Sequence, residues 1–142
     1  MDAKIQKVTN KILNIITMNY QEIKTYEDAC KVLGIDAKED LPYANPDNGK
    51  QTFLNAVAKI ETFAKAINLE DNGDEWIPGT YTSTYIPYFD LDVPSGFGFS
   101  YSDYVTWDAA TSVGSRLSYR SRAHAEHAGR CLESTYREMM VK

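Results

Sequence analysis

Three residues near the C-terminus have the types and spacing to hold a metal ion or to carry nucleophilic chemistry. His124, His127 and Cys131 recur at three- and four-residue intervals, and at about 100° per residue they fall within roughly 60° of one another on a helix. Imidazole nitrogen and thiolate sulfur at that spacing ligate zinc, which takes four such ligands in a closed site. Cys30 is the only other soft donor. Two His and two Cys in the whole chain are the bare minimum for such a site, so the expected role is polar residues on a helix shoulder, and no metal is assigned. His127 with Cys131 also has the composition of a Cys–His nucleophile pair, but both share one helix and nothing marks an oxyanion hole. The carboxylates of Asp90 and Asp92, and of Asp71, Asp74 and Glu75, are the donor type that divalent cations prefer. Solvated acids at a strand end and in a turn are the expected reading. The chain has no phosphate-binding loop, nucleophile elbow or dinucleotide fingerprint. Neither an enzyme activity nor a cofactor is predicted.

A second pattern concerns bases rather than metals. The octapeptide Ser95-Gly-Phe-Gly-Phe-Ser-Tyr-Ser102 resembles the signature strand of RNA-recognition modules, whose aromatic rings stack on bases. Gly96, Phe97, Gly98 and Phe99 match it. The leading basic residue is replaced by Ser95 and the final aromatic by Ser102, and no β-α-β unit precedes the strand. Phe97 and Phe99 are still candidates for stacking on a single strand. The acidity of residues 70–108 opposes this, because phosphate calls for a basic surface.

The elements that must position these residues are read from periodicity. Residues 4–18 form an amphipathic helix with Ile5, Val8, Ile12, Ile15 and Ile16 opposite Lys4, Lys7 and Lys11. Thr25 caps a second helix carrying Ala29, Val32 and Leu33, and Gly34 stops it. Residues 36–49 are a loop, marked by Pro42, Pro46 and the Asn48-Gly49 turn signal. A long helix runs from about Gln51 to Asn68, with Phe53, Val57, Ile60, Ala64 and Ile67 on its buried face. After the acidic run Glu70–Glu75 the character turns to β. Ile77–Thr84, Tyr85–Leu91, Phe97–Tyr104 and Val113–Tyr119 are rich in aromatic and β-branched residues. Pro87 predicts an edge strand or a bulge. Ser121–Met140 is a closing helix, capped by Ser121, with Ala125, Ala128, Leu132, Tyr136 and Met139 buried. The predicted class is α+β: N-terminal helices over 1–69, a small antiparallel sheet of three to four strands over 76–119, and a C-terminal helix over 120–141, in a single domain spanning 1–142.

Composition bounds the function. With 142 residues, 43% hydrophobic and 25% charged, the chain has enough apolar surface for one core and is not compositionally disordered. The longest uncharged stretch of the N-terminal half, Ile12–Gln21, is too short and polar to span a bilayer or serve as a secretory core, so a membrane role is excluded. Its two cysteines make no disulfide framework, and a cytoplasmic location is expected. The net charge of −5 is unevenly spread. Residues 1–75 carry nine Lys and thirteen acids, residues 76–112 four acids and no base, and residues 113–142 six bases and three acids. Every Arg lies in that last segment, and guanidinium binds carboxylate or phosphate in a bidentate way that ammonium does not. Ten Tyr add half-polar rings of the kind enriched at interfaces.

Tyr26-Glu-Asp-Ala-Cys-Lys-Val-Leu-Gly-Ile35, Tyr85-Ile-Pro-Tyr-Phe89, Gly96-Phe-Gly-Phe-Ser100, Ser112-Val-Gly-Ser-Arg-Leu117, Arg120-Ser-Arg122 and Ala125-Glu-His-Ala-Gly129 are similar to stretches of one family. The chain resembles a group of small accessory proteins carried by phages, prophages and mobile elements of gut bacteria, over roughly residues 22–140. Some members of that group are similar to anti-CRISPR proteins directed against Cas9-type effectors. The resemblance supplies no catalytic residue. It implies a non-enzymatic protein that binds a host defence protein, a CRISPR nuclease being the leading partner, in the host cytoplasm. Two surfaces suit that role. Acids including Asp90, Asp92 and Asp103 would mimic phosphates in a basic channel. Alternatively Tyr85, Tyr88, Phe97, Trp107, Arg116, Arg120 and Arg122 would supply interface anchors. The alternative function is a single-stranded nucleic-acid-binding module using Phe97, Phe99 and the C-terminal Arg cluster.

Overall fold

The computed structural model describes residues 3–7, 19–78, 83–90, 100–108 and 116–140, with the backbone alone considered at Tyr88, Asp90 and residues 100–108. Residues 3–7 are helical and exposed (α1), Ile5 included. The rest of the predicted first helix lies outside the described residues. A 3₁₀ turn at Tyr20–Glu22 leads into α2 (Tyr26–Leu33). As predicted, Thr25 caps α2: its hydroxyl accepts from the Asp28 amide while the Asp28 carboxylate accepts from the Thr25 amide, a capping box. Gly34 ends it at φ 68°, a left-handed conformation that glycine adopts without strain.

The segment predicted as a loop contains a short helix, α3 (Ala37–Asp40), capped by Asp36. The long helix α4 runs over Gly49–Ile67. Asn48-Gly49 starts this helix rather than forming a turn, because the Asn48 side chain accepts from the Gln51 amide. The buried face is also rotated from the predicted one. Ile60, Ala64 and Ile67 are buried as expected, joined by Ala56 and Phe63, whereas Phe53 is 41% exposed. Polar bonds explain the rotation. Asn55 both donates to the Tyr43 carbonyl and accepts from the Tyr43 amide, and Thr62 donates to Asp40, so the 41–48 segment and α3 cover that side.

The predicted α+β class, with three to four antiparallel strands, is corrected. The described residues are mainly helical, and the only ladder among them is a two-stranded hairpin of β1 (Ser83–Asp90) and β2 (Ser100–Asp108). Trp76–Pro78 is irregular, and of Val113–Tyr119 only Tyr119 joins a strand among the described residues, through one bridge to Tyr85. Density of aromatic and β-branched residues marks extended chain but does not fix partners, and Pro78 lacks the N–H that a ladder needs. Pro87 is accommodated by parity. Tyr85 points its N–H and C=O at Tyr119, away from β2, and Pro87, two residues on, turns its missing N–H to that same side. The predicted irregularity follows one residue later, as a register shift between Tyr88 and Phe89.

The closing helix is two helices, α5 (Arg122–Cys131) and α6 (Glu133–Met140), broken at Leu132 (φ −110°, ψ 27°). Ser121 caps α5 as predicted, and Ala125, Ala128, Leu132 and Tyr136 are buried. One core joins α2, α4, β1, Tyr119, α5 and α6. At its centre the hydroxyls of Tyr119 and Tyr136 meet at 2.7 Å, satisfying two polar groups that burial would otherwise penalise.

Candidate binding cleft at the end of α4

The last turns of α4 carry Glu61, Lys65 and Asn68 toward a cleft of about 360 Å³, closed by Glu75, Trp76, Ile77, Pro78 and Arg116. Its shape depends on one buried amide. Asn68, at the C-terminal end of α4, donates through Nδ2 to the Ser118 carbonyl at 2.9 Å and accepts at Oδ1 from the Arg120 amide at 3.0 Å. It thereby supplies residues 118–120 with partners of the kind a neighbouring strand would give. Arg120 Nη1 donates to the Leu69 carbonyl at 3.2 Å, a second tie across the same join. The acidic run turns back on itself through Gly73 (φ 88°), whose amide donates to the Glu70 carbonyl at 2.8 Å. The turn brings Glu75 to 4.0 Å from Lys65, in an exposed ion pair that contributes little stability. Ile77 follows at 77% exposure. Arg116 is exposed and forms no ion pair among the described residues. A second hollow is lined by Glu70, Asp71, Asn72 and Arg120.

The predicted site residues divide unevenly around this cleft. Arg116 lines it and Arg120 braces it from behind, while Arg122 pairs with Glu126 on its own helix at 3.0 Å. Tyr85 is half-buried against the core, pinned by Tyr119. The ladder sets Tyr88 opposite Asp103, Asp90 opposite Ser100, and Trp107 opposite Thr84. Phe97, Phe99 and Asp92 lie outside the described residues. Sequence reasoning misses Trp76, Ile77, Lys65 and Asn68. For Trp76 and Ile77 the signal available is a large apolar pair directly after the acidic turn; nothing in the sequence marks Lys65 or Asn68.

The histidines and Cys131 have structural partners. His124 stacks on Tyr20 with centroids 3.9 Å apart, and its Nδ1 meets Ser121 Oγ at 2.5 Å. Burial, reinforced by Arg120 and His127, lowers its pKa to about 4, so the ring is neutral at pH 7. His127 donates from Nε2 to the Ile23 carbonyl at 2.7 Å and packs edge-on to Tyr20 and parallel to Phe63. Cys131 Sγ lies 3.6 Å from that ring, and burial pushes its thiol up, opposite to what an activated nucleophile needs. Among the described residues no group of three His, Cys, Asp or Glu side chains is placed to hold a metal ion. Nor is any helix among them long and apolar enough to cross a membrane. No family model, characterised protein or solved structure matches this chain.

Proposed function

We propose that this chain is a non-enzymatic phage or prophage accessory protein that acts in the host cytoplasm by binding another protein through the cleft at the end of α4. The observation that carries the proposal is Ile77, 77% exposed between Trp76 and Pro78, with the Arg116 guanidinium lining the same cleft. An aliphatic anchor beside Trp and Arg has the composition of a binding hot spot. The resemblance of residues 22–140 to mobile-element proteins supplies the class of partner, a defence nuclease of the Cas9 type. Such nucleases hold nucleic acid in a positively charged channel. The exposed acids Glu70, Asp71, Asp74 and Glu75 beside the cleft offer that channel phosphate-like charge.

The single-strand-binding alternative has less support. Its stacking rings, Phe97 and Phe99, lie outside the described residues, and Arg120 and Arg122 are engaged within the fold. Target cleavage by a Cas9-type effector, with the native chain and with Ile77→Asp combined with Arg116→Glu, tests the proposal. The native chain inhibits cleavage, and the double variant does so at least about tenfold less well, as removal of a single hot spot would require. Equal inhibition by both chains contradicts the cleft, and no inhibition by the native chain contradicts the target class.

A further inference from the structure

We infer that the groove between the first turn of α4 and the last turn of α6 is a self-association surface, filled by the same groove of a second copy of this chain. The groove, about 820 Å³, is lined by Gly49, Lys50, Thr52, Phe53, Glu138, Met139 and Met140. Phe53 and Met140 are 41% and 47% exposed, two of the four large hydrophobic side chains left exposed among the described residues. Methionine is flexible enough to fill the irregular gaps of a second apolar surface. At Gly49 a β-carbon would meet nothing within 4 Å, so the backbone there is open to close approach.

The charges choose the occupant. Lys50 stands on the α4 wall and Glu138 on the α6 wall, and they pair neither with each other nor with another charge among the described residues. A two-fold axis running along the groove places each wall against the opposite wall of the other copy, so Lys50 meets Glu138 twice. Elsewhere the net charge of −5 repels a second copy, whereas the groove's own two charges cancel. The groove is also clear of the binding cleft, with Phe53 and Lys65 about 18 Å apart along the α4 axis. A dimer formed here leaves both clefts open.

Sedimentation or light scattering of the full chain over a concentration series tests the inference. The mass rises with concentration from 16.0 kDa toward twice that value. Phe53→Glu holds it at 16.0 kDa, with the thermal unfolding curve of the native chain as the check on folding. Lys50→Glu weakens association by about tenfold, because both Lys50–Glu138 pairs become repulsive, and Lys50→Glu combined with Glu138→Lys restores it. A mass that stays at 16.0 kDa throughout overturns the inference. So does a dimer that survives Phe53→Glu, or a charge exchange that fails to restore association.

Discussion

At the scale of single residues, Asn68 matters more to the cleft than any of its charged side chains. It satisfies the Ser118 carbonyl and the Arg120 amide at once. Asn68→Ala leaves both unpaired at about 1–3 kcal/mol each, so thermal unfolding should show a loss of several degrees. Partner binding should weaken with it as residues 116–120 loosen. His124 sets a pH dependence. Its pKa is about 4 in the folded chain against an ordinary 6.5, because it is buried against Tyr20 beside Arg120 and His127. The unfolded chain therefore takes up a proton first as pH falls. The stability that neutral His124 allows is complete above pH 6.5 and is lost between 6.5 and about 4. Melting temperatures should decline through that window, and His124→Phe, which keeps an aromatic ring against Tyr20, should flatten the decline. An equal slope in the variant would assign the effect to carboxylates instead.

At the scale of elements, the helices whose ends carry local chemistry were legible in the sequence. Thr25, Gly34 and Ser121 act within their own turns, so their roles survive any tertiary arrangement. Asn48-Gly49 was not legible, since the same pair serves a turn or a helix start, and only the partner at Gln51 decides. The α4 face shows the next limit. Period alone puts Phe53 and Val57 inside, but Asn55 and Thr62 have buried partners at Tyr43 and Asp40, and these turn the helix. Phe63→Ala should therefore cost about 3–5 kcal/mol and Phe53→Ala less than about 0.5 kcal/mol, measured by urea unfolding. Equal losses would restore the face read from periodicity. The sheet was least legible, because strand partners are set by long-range contacts that a single chain's composition does not encode. Of the candidate site, Arg116 and the acidic run could be read. Trp76 and Ile77 could not, since a short apolar run reads first as a strand.

At the scale of the whole molecule, α4 organises two surfaces at its two ends. The first turn opens on an apolar groove with balanced charge, and the last turns open on a cleft where Ile77 and Arg116 stand beside an exposed acidic turn. Self-association at one end and partner binding at the other are compatible, and together give a dimer that presents two clefts. His124 and His127 are committed to packing α5 against Tyr20 and Phe63. Binding through the cleft is tested most directly by comparative capture from nuclease-treated bacterial lysate. Tagged native chain and the Ile77→Asp, Arg116→Glu variant are matched for folding, and the retained proteins are quantified. The expected result is a stoichiometric protein partner held by the native chain and released by the variant. Retention of the same protein by both, or disappearance of every partner once nucleic acid is removed, would refute binding through this cleft.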